Sequence, residues 1–396
     1  MNDLAAKSAK SAKKGEAWPM VRLGDVCEVR AGSTHHGIES SDGKYPVYGS
    51  GGYICQATEF RCPANSVTIG RKGTLNNPLL IGEPFWNIDT CFGCTPNKEL
   101  DSRYLWRFCQ NFDFYKLVPS LGRPSTNSEA IKAIQIPLPP LEVQKEIVER
   151  LEKELDECER ITENFRKIAE LAEAEFKAEL DEVFVELEGM CVREGEGEGE
   201  GDILTQRSRE AEVRRVRLGD GCEVRAGQSP EGVNYTEDSS YTEFHQGCKA
   251  FGARVLECSG VYTKVVTKIA PSGSILMSVR APVGTINITQ REVCIGRGLA
   301  AIIVSEQVLR DYVFLYLLAS KNRLNETAGA GSVFPSISKK QLDSFEIPLP
   351  SLEVQKEIVE RLDEARGRCD KLKVAAERGL RAAENLRKAI LAEAFE

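Results

Sequence analysis

Two long segments of the chain carry apolar residues at alternating spacings of three and four. Residues 141–188 and 352–396 both show this pattern, with charged residues on their other faces. The spacing is typical of a coiled-coil seam, and a narrow apolar stripe has to be buried against a partner. We therefore predict two long helices that pack on each other. The predicted seams consist of Val148, Leu151, Leu155, Cys158, Phe165, Ala169, Ala172 and Phe176, and of Cys369, Leu372, Ala376, Ala383, Leu386 and Ile390.

The segment after the first helix, residues 189–207, contains the sequence EGEGEGEG. A glycine-rich segment of like charge cannot pack, so it predicts a flexible, solvated connector. The first helix would be about 70 Å long, whereas a fully extended connector of this length spans at most about 65 Å. We therefore expect the second helix to run back antiparallel to the first. Two globular heads would then lie at opposite ends of the helix pair, related by an approximate two-fold axis.

Two segments occur twice, in the same order. VRLGDVCEVRAG at residues 21–32 returns at 216–227, and IPLPPLEVQKEIVERL at 136–151 returns at 347–362, each with a single change. The sequences between them differ almost completely, which predicts two variable heads, each between a shared entry and a shared exit. The predicted organisation, with heads of mixed α/β fold, is an N-terminal tail (1–18), head one (19–140), spacer helix one (141–188), the connector (189–207), head two (208–351) and spacer helix two (352–396).

The charge of the chain is unevenly distributed. A net charge of −8 argues, taken whole, against binding to a polyanion. Residues 19–140 hold 12 basic and 11 acidic residues and residues 216–351 hold 14 and 13, so these two segments together carry +2 and the rest of the chain −10. We therefore expect the acidic helices to face solvent or protein, and local basic loops on the heads to make any contact with a nucleic acid.

The composition indicates a protein of the cytoplasm. No segment approaches the roughly 18 consecutive apolar residues that span a bilayer, so no membrane partner is expected. Residues 1–15 are rich in Ala, Lys and Ser and lack the apolar core of a secretory signal.

The chemistry-bearing residues predict neither a cofactor nor a metal site. The thirteen cysteines are scattered and odd in number, which indicates free core thiols rather than a disulfide framework. Cys91 and Cys94 have CxxC spacing, but no second pair or histidine cluster completes a zinc site. The sequence also lacks the Asp/Asn-Pro-Pro-aromatic motif of methyltransferases, a phosphate-binding GxxxxGK[ST] loop and a nuclease-like acidic triplet. We therefore assign no catalytic residue.

Glycine-flanked basic residues mark loops that are able to approach another surface. In SVTIGRKGT (66–74) the basic pair Arg71 and Lys72 lies between glycines, and SILMSVRAPVG (274–284) and CIGRGLAA (294–301) place Arg280 and Arg297 in settings that look equivalent. Arginine makes bidentate contacts to guanine and lysine pairs with phosphate, although an arginine that ties down a turn remains the alternative. Two further Gly/Ser loops, at 121–128 and 328–337, precede the exits, and their GxG is too weak a motif for nucleotide binding. The predicted DNA-binding residues are Arg71, Lys72, Thr74, Arg123, Arg280, Arg297 and Ser332.

These motifs together resemble the specificity subunits of type I restriction-modification systems. The similarity rests on the LGDV entry, YPVYGSGGY, IGRKGT, SVRAPVG, IGRG and the repeated exit, and it extends over nearly all of the chain from Trp18 onward. It implies two target-recognition domains that each read one part of a split site in double-stranded DNA. It also implies two docked copies of an adenine N6-methyltransferase subunit and, for cleavage, a motor-nuclease subunit. The specificity subunit itself would have no catalytic residue.

Two alternatives remain at this point. The first is an interaction scaffold, a coiled coil with two protein-binding heads, which predicts no salt-dependent affinity for DNA. The second is a cysteine-based enzyme, for which only His35, His36 and His245 are available as histidine bases, and which alkylation of the cysteines would inactivate. Neither explains why the entries and exits are preserved while the segments between them differ.

Overall fold

A computed structural model of the chain describes residues 18–118, 124–192, 213–329 and 335–395. The chain divides into two compact units. Unit 1 comprises Met1–Arg166 and Ala376–Glu396, and unit 2 comprises Lys167–Ala375, so each unit combines one predicted head with parts of both long helices. The predicted mixed α/β fold with two long helices is confirmed. Most of the predicted N-terminal tail and connector lies outside the described residues.

The described strands of unit 1 form three small sheets. They are β1 (Met20–Arg22), β2 (Cys27–Ala31), β3 (Tyr45–Gly49), β4 (Gly52–Ala57), β5 (Ser66–Gly70), β6 (Leu79–Ile81), β7 (Trp86–Asn87), β8 (Cys91–Pro96) and β9 (Gln135–Pro137). The sheet orders are β1-β9, β2-β8-β5-β6 and β4-β3-β7, and only the β3–β7 pairing is parallel. All five residues of β5 are buried, which places this strand at the centre of the unit.

The helices of unit 1 cover the four-stranded sheet and lead into the first long helix. They are α1 (Leu23–Val26), α2 (Ser102–Asn111), the 3-10 turn Phe114–Leu117, α3 (Ser128–Lys132) and α4 (Leu141–Val192). Asp101 caps α2 by accepting hydrogen bonds from the amides of Arg103 and Tyr104. The buried side chains of α2 lie on one face, where they join the core formed by the sheet. Helix α4 ends four residues beyond the predicted end at residue 188.

The described strands of unit 2 are arranged like those of unit 1, but five strands form the sheet that corresponds to β4-β3-β7. They are β10 (Arg214–Arg217), β11 (Cys222–Ala226), β12 (Tyr235–Thr236), β13 (Thr242–His245), β14 (Tyr262–Thr263), β15 (Ile269–Ala270), β16 (Ile275–Ser278), β17 (Ile286–Ile288), β18 (Val293–Ile295), β19 (Leu299–Val304) and β20 (Glu346–Leu349). The sheet β11-β19-β16-β17 has the order of β2-β8-β5-β6 in unit 1. The other sheets are β10-β20 and β12-β14-β13-β18-β15.

The described helices of unit 2 lead, as in unit 1, into a long helix. They are α5 (Leu218–Gly221), the 3-10 turns Gly232–Asn234 and Cys248–Ala250, α6 (Arg310–Ala319), α7 (Lys321–Thr327), α8 (Lys339–Asp343) and α9 (Leu352–Glu393). Six of the ten residues of α6 are buried, so this helix lies in the core of the unit rather than on its surface. Aromatic side chains of α6 contact Phe184 of α4 there.

The repeated entry and exit sequences pair with each other inside each unit. In unit 1 the antiparallel partners include Val21 and Ile136, and in unit 2 they include Val216 and Ile347. Each head therefore begins and ends at one two-stranded ribbon, from which a long helix departs. This pairing explains the preserved ends, because a change in one strand would have to be matched in its partner.

A glutamine in each exit ties the start of the long helix to the head. Gln144 donates to the carbonyls of Glu99 and Pro139 at 2.9 and 2.8 Å, and it accepts from the amide of Asp101 at 2.7 Å. In unit 2 the amide of Leu309 donates to Gln355 at 2.8 Å. Both glutamines are essentially inaccessible to solvent, so these hydrogen bonds satisfy polar groups that burial would otherwise leave unpaired.

The two long helices pack antiparallel within each unit. In unit 2, Glu179 of α4 accepts from Arg361 of α9 at 3.1 Å, and Glu173 accepts from Lys373 at 2.9 Å. In unit 1, Gly379 of α9 lies directly against the ring of Phe165. Most of the predicted seam residues are buried, and the remainder are half-buried apart from two.

The prediction is wrong for Leu372 and Leu386, which are 43% and 47% exposed. It followed a strict seven-residue repeat along α9. The repeat itself holds, because Cys369, Ala376 and Ala383 are buried at seven-residue intervals, and the failure is confined to the two leucines at its other position. Lys373, one residue after Leu372, meets α4 through Glu173 instead, and glycine rather than leucine meets α4 at position 379.

Candidate nucleic-acid interface

In unit 1 the turn after β5 is held from two sides. The amide of Arg71 donates to the carbonyl of Thr90 at 2.8 Å, and the carbonyl of Arg71 accepts from the amide of Thr126 at 2.9 Å. Lys72 then forms an antiparallel bridge with Ser125. The turn is therefore fixed between the start of β8 and the loop that leads to the exit sequence.

Unit 2 builds the same turn from different residues. The amide of Val279 donates to the carbonyl of Gly298 at 2.9 Å, and the carbonyl of Val279 accepts from the amide of Ile337 at 3.0 Å. Arg280 forms the antiparallel bridge, here with Ser336. These two backbone hydrogen bonds and the bridge correspond between the units, whereas the further bond from the Lys72 amide to the carbonyl of Thr90, at 3.1 Å, is found in unit 1.

Lys72 and Arg280 are consequently equivalent residues of the two units, and both side chains are exposed. The ammonium group of Lys72 lies 3.2 Å from the carboxylate of Asp89. For Arg280, no acidic side chain lies within salt-bridge distance in the part of the chain that the structure describes. The two units therefore present a cation at the same place, and among the described residues an acidic partner is found for Lys72 but not for Arg280.

The remaining predicted residues are distributed less uniformly. Arg71 is half-buried, and its guanidinium carbon lies 5.8 Å from the centre of the Phe92 ring, so it packs on the core as well as facing outward. Thr74 is exposed and follows Gly73, whose φ of 76° favours glycine. Arg297 is exposed. The predictions for Arg123 and Ser332 lie outside the described residues.

Arg297 lines a cleft of about 770 Å³ on unit 2. The hydroxyl of Ser229 accepts from the amide of Arg297 at 3.2 Å and donates to the side-chain oxygen of Gln246 at 2.8 Å. The other charged residues of the cleft are Lys249, Glu231 and Glu257. Basic, amide and hydroxyl groups therefore converge in one concave surface, which suits hydrogen bonding to a polar ligand.

In unit 1 the tip of the β3–β4 hairpin lies beside the Lys72 turn. The amide of Ser50 donates to the hydroxyl of Thr90 at 3.1 Å, and a Cβ placed on Gly73 would lie 3.7 Å from the hydroxyl oxygen of Ser50. Gly52 at the same tip has a φ of 121° and open space around it. The sequence YGSGG indicates this hairpin tip, but it gives no sign of which other loop the tip meets.

Sequence reasoning missed three polar residues of these surfaces, Asp89, Ser229 and Gln246. Asp89 is encoded in an ordinary stretch, NIDTC, with no glycine to mark a turn. Ser229 and Gln246 are separated by sixteen residues, and a hydrogen bond brings them together. No local signal in the sequence identifies either of them.

An ionic cluster of the buried Glu243 with the half-exposed Arg291 supports the wall of the unit 2 cleft. Arg291 forms two hydrogen bonds to the carboxylate of Glu243, at 2.6 and 3.0 Å, and donates to the carbonyls of Leu256 and Glu257. Burial alone would raise the pKa of Glu243, but the hydrogen bonds from Arg291 and from the Ser259 amide outweigh it and lower that pKa to about 2.

His245 completes the cluster through a contact of 3.0 Å between its Nε2 and Glu243. Burial lowers the pKa of His245 below its usual value, although the carboxylate of Glu243 opposes the shift. Its Nδ1 atom is buried and has no hydrogen-bond partner among the described residues. The cluster therefore holds the segment 256–259 against β13 with a neutral histidine.

The cysteines do not assemble into a site in the described part of the chain. All thirteen lie in described residues and are free, and nine of them are buried. Burial raises the pKa of Cys91 to about 12, so this thiol is a poor nucleophile. No group of three or more His, Cys, Asp or Glu side chains that would hold a metal ion occurs among the described residues.

The model of one protein family matches the chain twice. It describes the type I restriction modification DNA specificity domain, and it matches residues 15–173 and 210–374. The chain belongs to this family. Each match includes one head and part of the long helix that follows it, so the family assignment accounts for both halves of the repeat. The predicted identity as a type I specificity subunit is confirmed.

Two curated relatives of this specificity subunit come from Methanocaldococcus jannaschii. The putative type I restriction enzyme MjaX specificity subunit is 35% identical over 278 residues, which cover 67% of this chain and 62% of that protein. The type I restriction enzyme MjaIX specificity subunit is 35% identical over 107 residues, which cover 26% of this chain and 23% of that protein. The matched part is therefore less than two thirds of the length of either relative.

Two solved structures share the fold of this specificity subunit. One chain, from a study of complex assembly and conformational transition of the type I R-M system, has a TM-score of 0.74 and 25% identity, with 98% of this chain and 99% of that chain covered. The HsdS subunit from Thermoanaerobacter tengcongensis has a TM-score of 0.57 and 24% identity, with the same coverage of both chains. Among the described helices, none has a stretch both long and apolar enough to cross a membrane.

Proposed function

We propose that this specificity subunit reads a two-part site in double-stranded DNA and directs adenine methylation and cleavage by partner subunits. One target-recognition domain, residues 19–140, would read one part, and the other, residues 208–351, would read the second part. The long helices would set the distance between the parts. The partners would be two copies of a methyltransferase subunit and, for cleavage, a motor-nuclease subunit.

The observation that carries this proposal is the repeated turn with Lys72 in one unit and Arg280 in the other. The same backbone hydrogen bonds present a different cation in each unit, in a surface otherwise built from unlike residues. Proteins that read DNA combine phosphate contacts, which set the register, with base-edge contacts, which select the sequence. Two similar frameworks with different exposed side chains suit two half-sites of different sequence.

The predicted DNA-binding residues enter the proposal with distinct roles. Lys72 and Arg280 would contact phosphate or base edges from equivalent turns, and Thr74 would lie beside the first of them. Arg71, half-buried on Phe92, would mainly support its turn. Arg123 and Ser332 stay predicted contacts of the loops that precede the exits.

The test is a map of N6-methyladenine in genomic DNA from cells that carry this chain with a matching methyltransferase subunit. A two-part methylated motif that disappears when the gene is deleted supports the proposal. Exchange of residues 208–351 for those of another specificity subunit should change one half of the motif and leave the other unchanged. Unchanged methylation after deletion, with a methyltransferase shown to be active, would favour an interaction scaffold instead.

A further inference from the structure

Asp89 of unit 1 and Arg297 of unit 2 occupy the same position of the repeated plan. The amide of Ile88, the residue before Asp89, donates to the carbonyl of Tyr48 in β3 at 2.9 Å. The amide of Gly296, the residue before Arg297, donates to the carbonyl of His245 in β13 at 2.8 Å. The carbonyls of the residues after them also correspond. Thr90 accepts from the amide of Arg71, and Gly298 accepts from the amide of Val279. Each residue thus lies at the apex of the connection into β8 or β19, opposite Lys72 or Arg280.

Both apices are held rigidly, so their side chains are presented from a fixed backbone. In unit 2 a Cβ on Gly298 would lie 2.5 Å from the carbonyl oxygen of Gln246, which only glycine permits. Ser229 accepts the amide of Arg297 on the other side. In unit 1 the hydroxyl of Thr90 is bound by the Ser50 amide. Preorganised groups of this kind are what a specific interface requires.

The two side chains have opposite hydrogen-bonding character. The side chain of Asp89 is 54% exposed and, among the described residues, forms its ion pair with Lys72, which is itself 48% exposed. Such an exposed pair is easily exchanged for another partner. A carboxylate accepts hydrogen bonds and cannot donate them. Arg297 is exposed, has no acidic partner in the described part of the chain, and only donates.

We propose that Asp89 and Arg297 are specificity-determining residues that select bases of opposite character in the two half-sites. This inference rests on the proposed function. In the major groove, an acceptor selects a base with an exposed amino group, which is cytosine or adenine, while arginine pairs with O6 and N7 of guanine. Lys72, released from Asp89, would move to a neighbouring phosphate.

The experiment uses the full chain in complex with its methyltransferase subunit. Asp89→Ala and Arg297→Ala are compared with two exposed control variants, Asp42→Ala and Arg217→Ala. Asp42 lies before β3, at the end of the β3–β4 hairpin remote from Ser50, and Arg217 belongs to the repeated entry sequence. Two readouts are taken for each variant, the genomic map of N6-methyladenine and the sequences selected by the complex from a random DNA pool.

Asp89→Ala should relax one cytosine or adenine position in one half-site by about tenfold or more, and Arg297→Ala one guanine in the other half-site by a similar factor. The control variants should keep the wild-type motif. A residue that merely supports the fold would change the amount of methylation but not the preferred sequence. If a variant loses methylation altogether, the sequences that its complex selects from the random DNA pool show whether its base preference has changed.

An unchanged motif in both variants, or relaxation of an A·T pair rather than a G·C pair by Arg297→Ala, would overturn the inference while the proposed function stands. A wild-type complex with an active methyltransferase and no two-part motif would instead overturn the proposed function itself. The two failures are therefore distinguishable in one set of measurements.

Discussion

The ring of Phe395 lies edge-on against the ring of Tyr104, with 5.2 Å between the ring centres and 61° between their planes. Phe395 also contacts Phe108, which lies in α2 like Tyr104, with 5.6 Å between the ring centres. Tyr104 is fully buried and donates its hydroxyl to the carbonyl of Pro137 in the exit strand. The last described residues of the chain therefore complete the core of unit 1, although most of that core comes from residues far earlier in the sequence.

Phe395→Ala should destabilise unit 1 by about 2 kcal/mol. The estimate combines the burial of a half-buried aromatic side chain with two aromatic pairs. Hydrogen exchange of residues 102–111, compared with the wild-type chain, would measure the effect. The control is Leu386→Ala, at an exposed position of α9, the helix that precedes Phe395, and it should change protection very little. Equal effects of the two substitutions would contradict the packing role of Phe395.

Gly379→Ala should destabilise the helix pair of unit 1 by about 1–3 kcal/mol, because the added methyl group overpacks a filled contact. A Cβ at this position would lie 2.3 Å from the nearest ring atoms of Phe165. Gly367→Ala in the same helix meets nothing within 4 Å, so it should stabilise α9 through the higher helix propensity of alanine. Thermal unfolding of the two variants should thus shift in opposite directions, and a shift in the same direction would refute the steric argument.

Unit 2 should lose stability as the pH falls below about 6.5. The folded pKa of His245 is lowered, so the folded state binds fewer protons than the unfolded state in this range, and unfolding becomes easier as protons are added. Glu243 adds a second loss between pH 4.5 and about 2, because its folded pKa is lowered as well.

Urea unfolding of His245→Gln between pH 7 and 5 should show a weaker dependence on pH than the wild-type chain. The matched substitution His36→Gln, of a histidine in unit 1 whose side chain is 83% exposed, serves as the control. Identical pH profiles for His245→Gln and the wild type would show that another group titrates in this range.

Arg280→Gln should weaken binding to DNA and make it less dependent on salt. Each phosphate neutralised by a cation contributes about −0.9 to the slope of the logarithm of affinity against the logarithm of salt concentration. Titration of the methyltransferase complex at several salt concentrations should therefore give a slope smaller in magnitude by about one. Arg217→Gln serves as the control, and equal slopes for Arg280→Gln and the wild type would exclude a phosphate contact by Arg280.

The strongest sequence signals were those that are repeated or periodic. The two copies of the entry and exit predicted two heads, and the structure explains them by the Val21–Ile136 and Val216–Ile347 pairings. The spacing of apolar residues predicted both long helices and most of their buried positions. It was wrong at Leu372 and Leu386, because the face that meets the partner helix depends on how that helix packs.

A basic pair between glycines marked Lys72 as a turn residue, the motif SVRAPVG marked Arg280, and the structure brings the two residues to equivalent places. Their surroundings were not predictable from the sequence. Asp89 reaches Lys72 from seventeen residues away, and Ser229 reaches Gln246 from the loop that follows β11. Such contacts depend on strand register and turn geometry.

The sequence by itself determined the family, the two-head plan, the long helices and the loops that carry basic residues. These features follow from repetition, from a helical period and from the conformational demands of glycine, all of which are local in the chain. Only the tertiary structure decided that Asp89 and Arg297 share one position and that Phe395 closes the core of unit 1. The physical reason is that hydrogen bonds and packing between distant segments bring these side chains together, and residue order does not encode which distant segments meet.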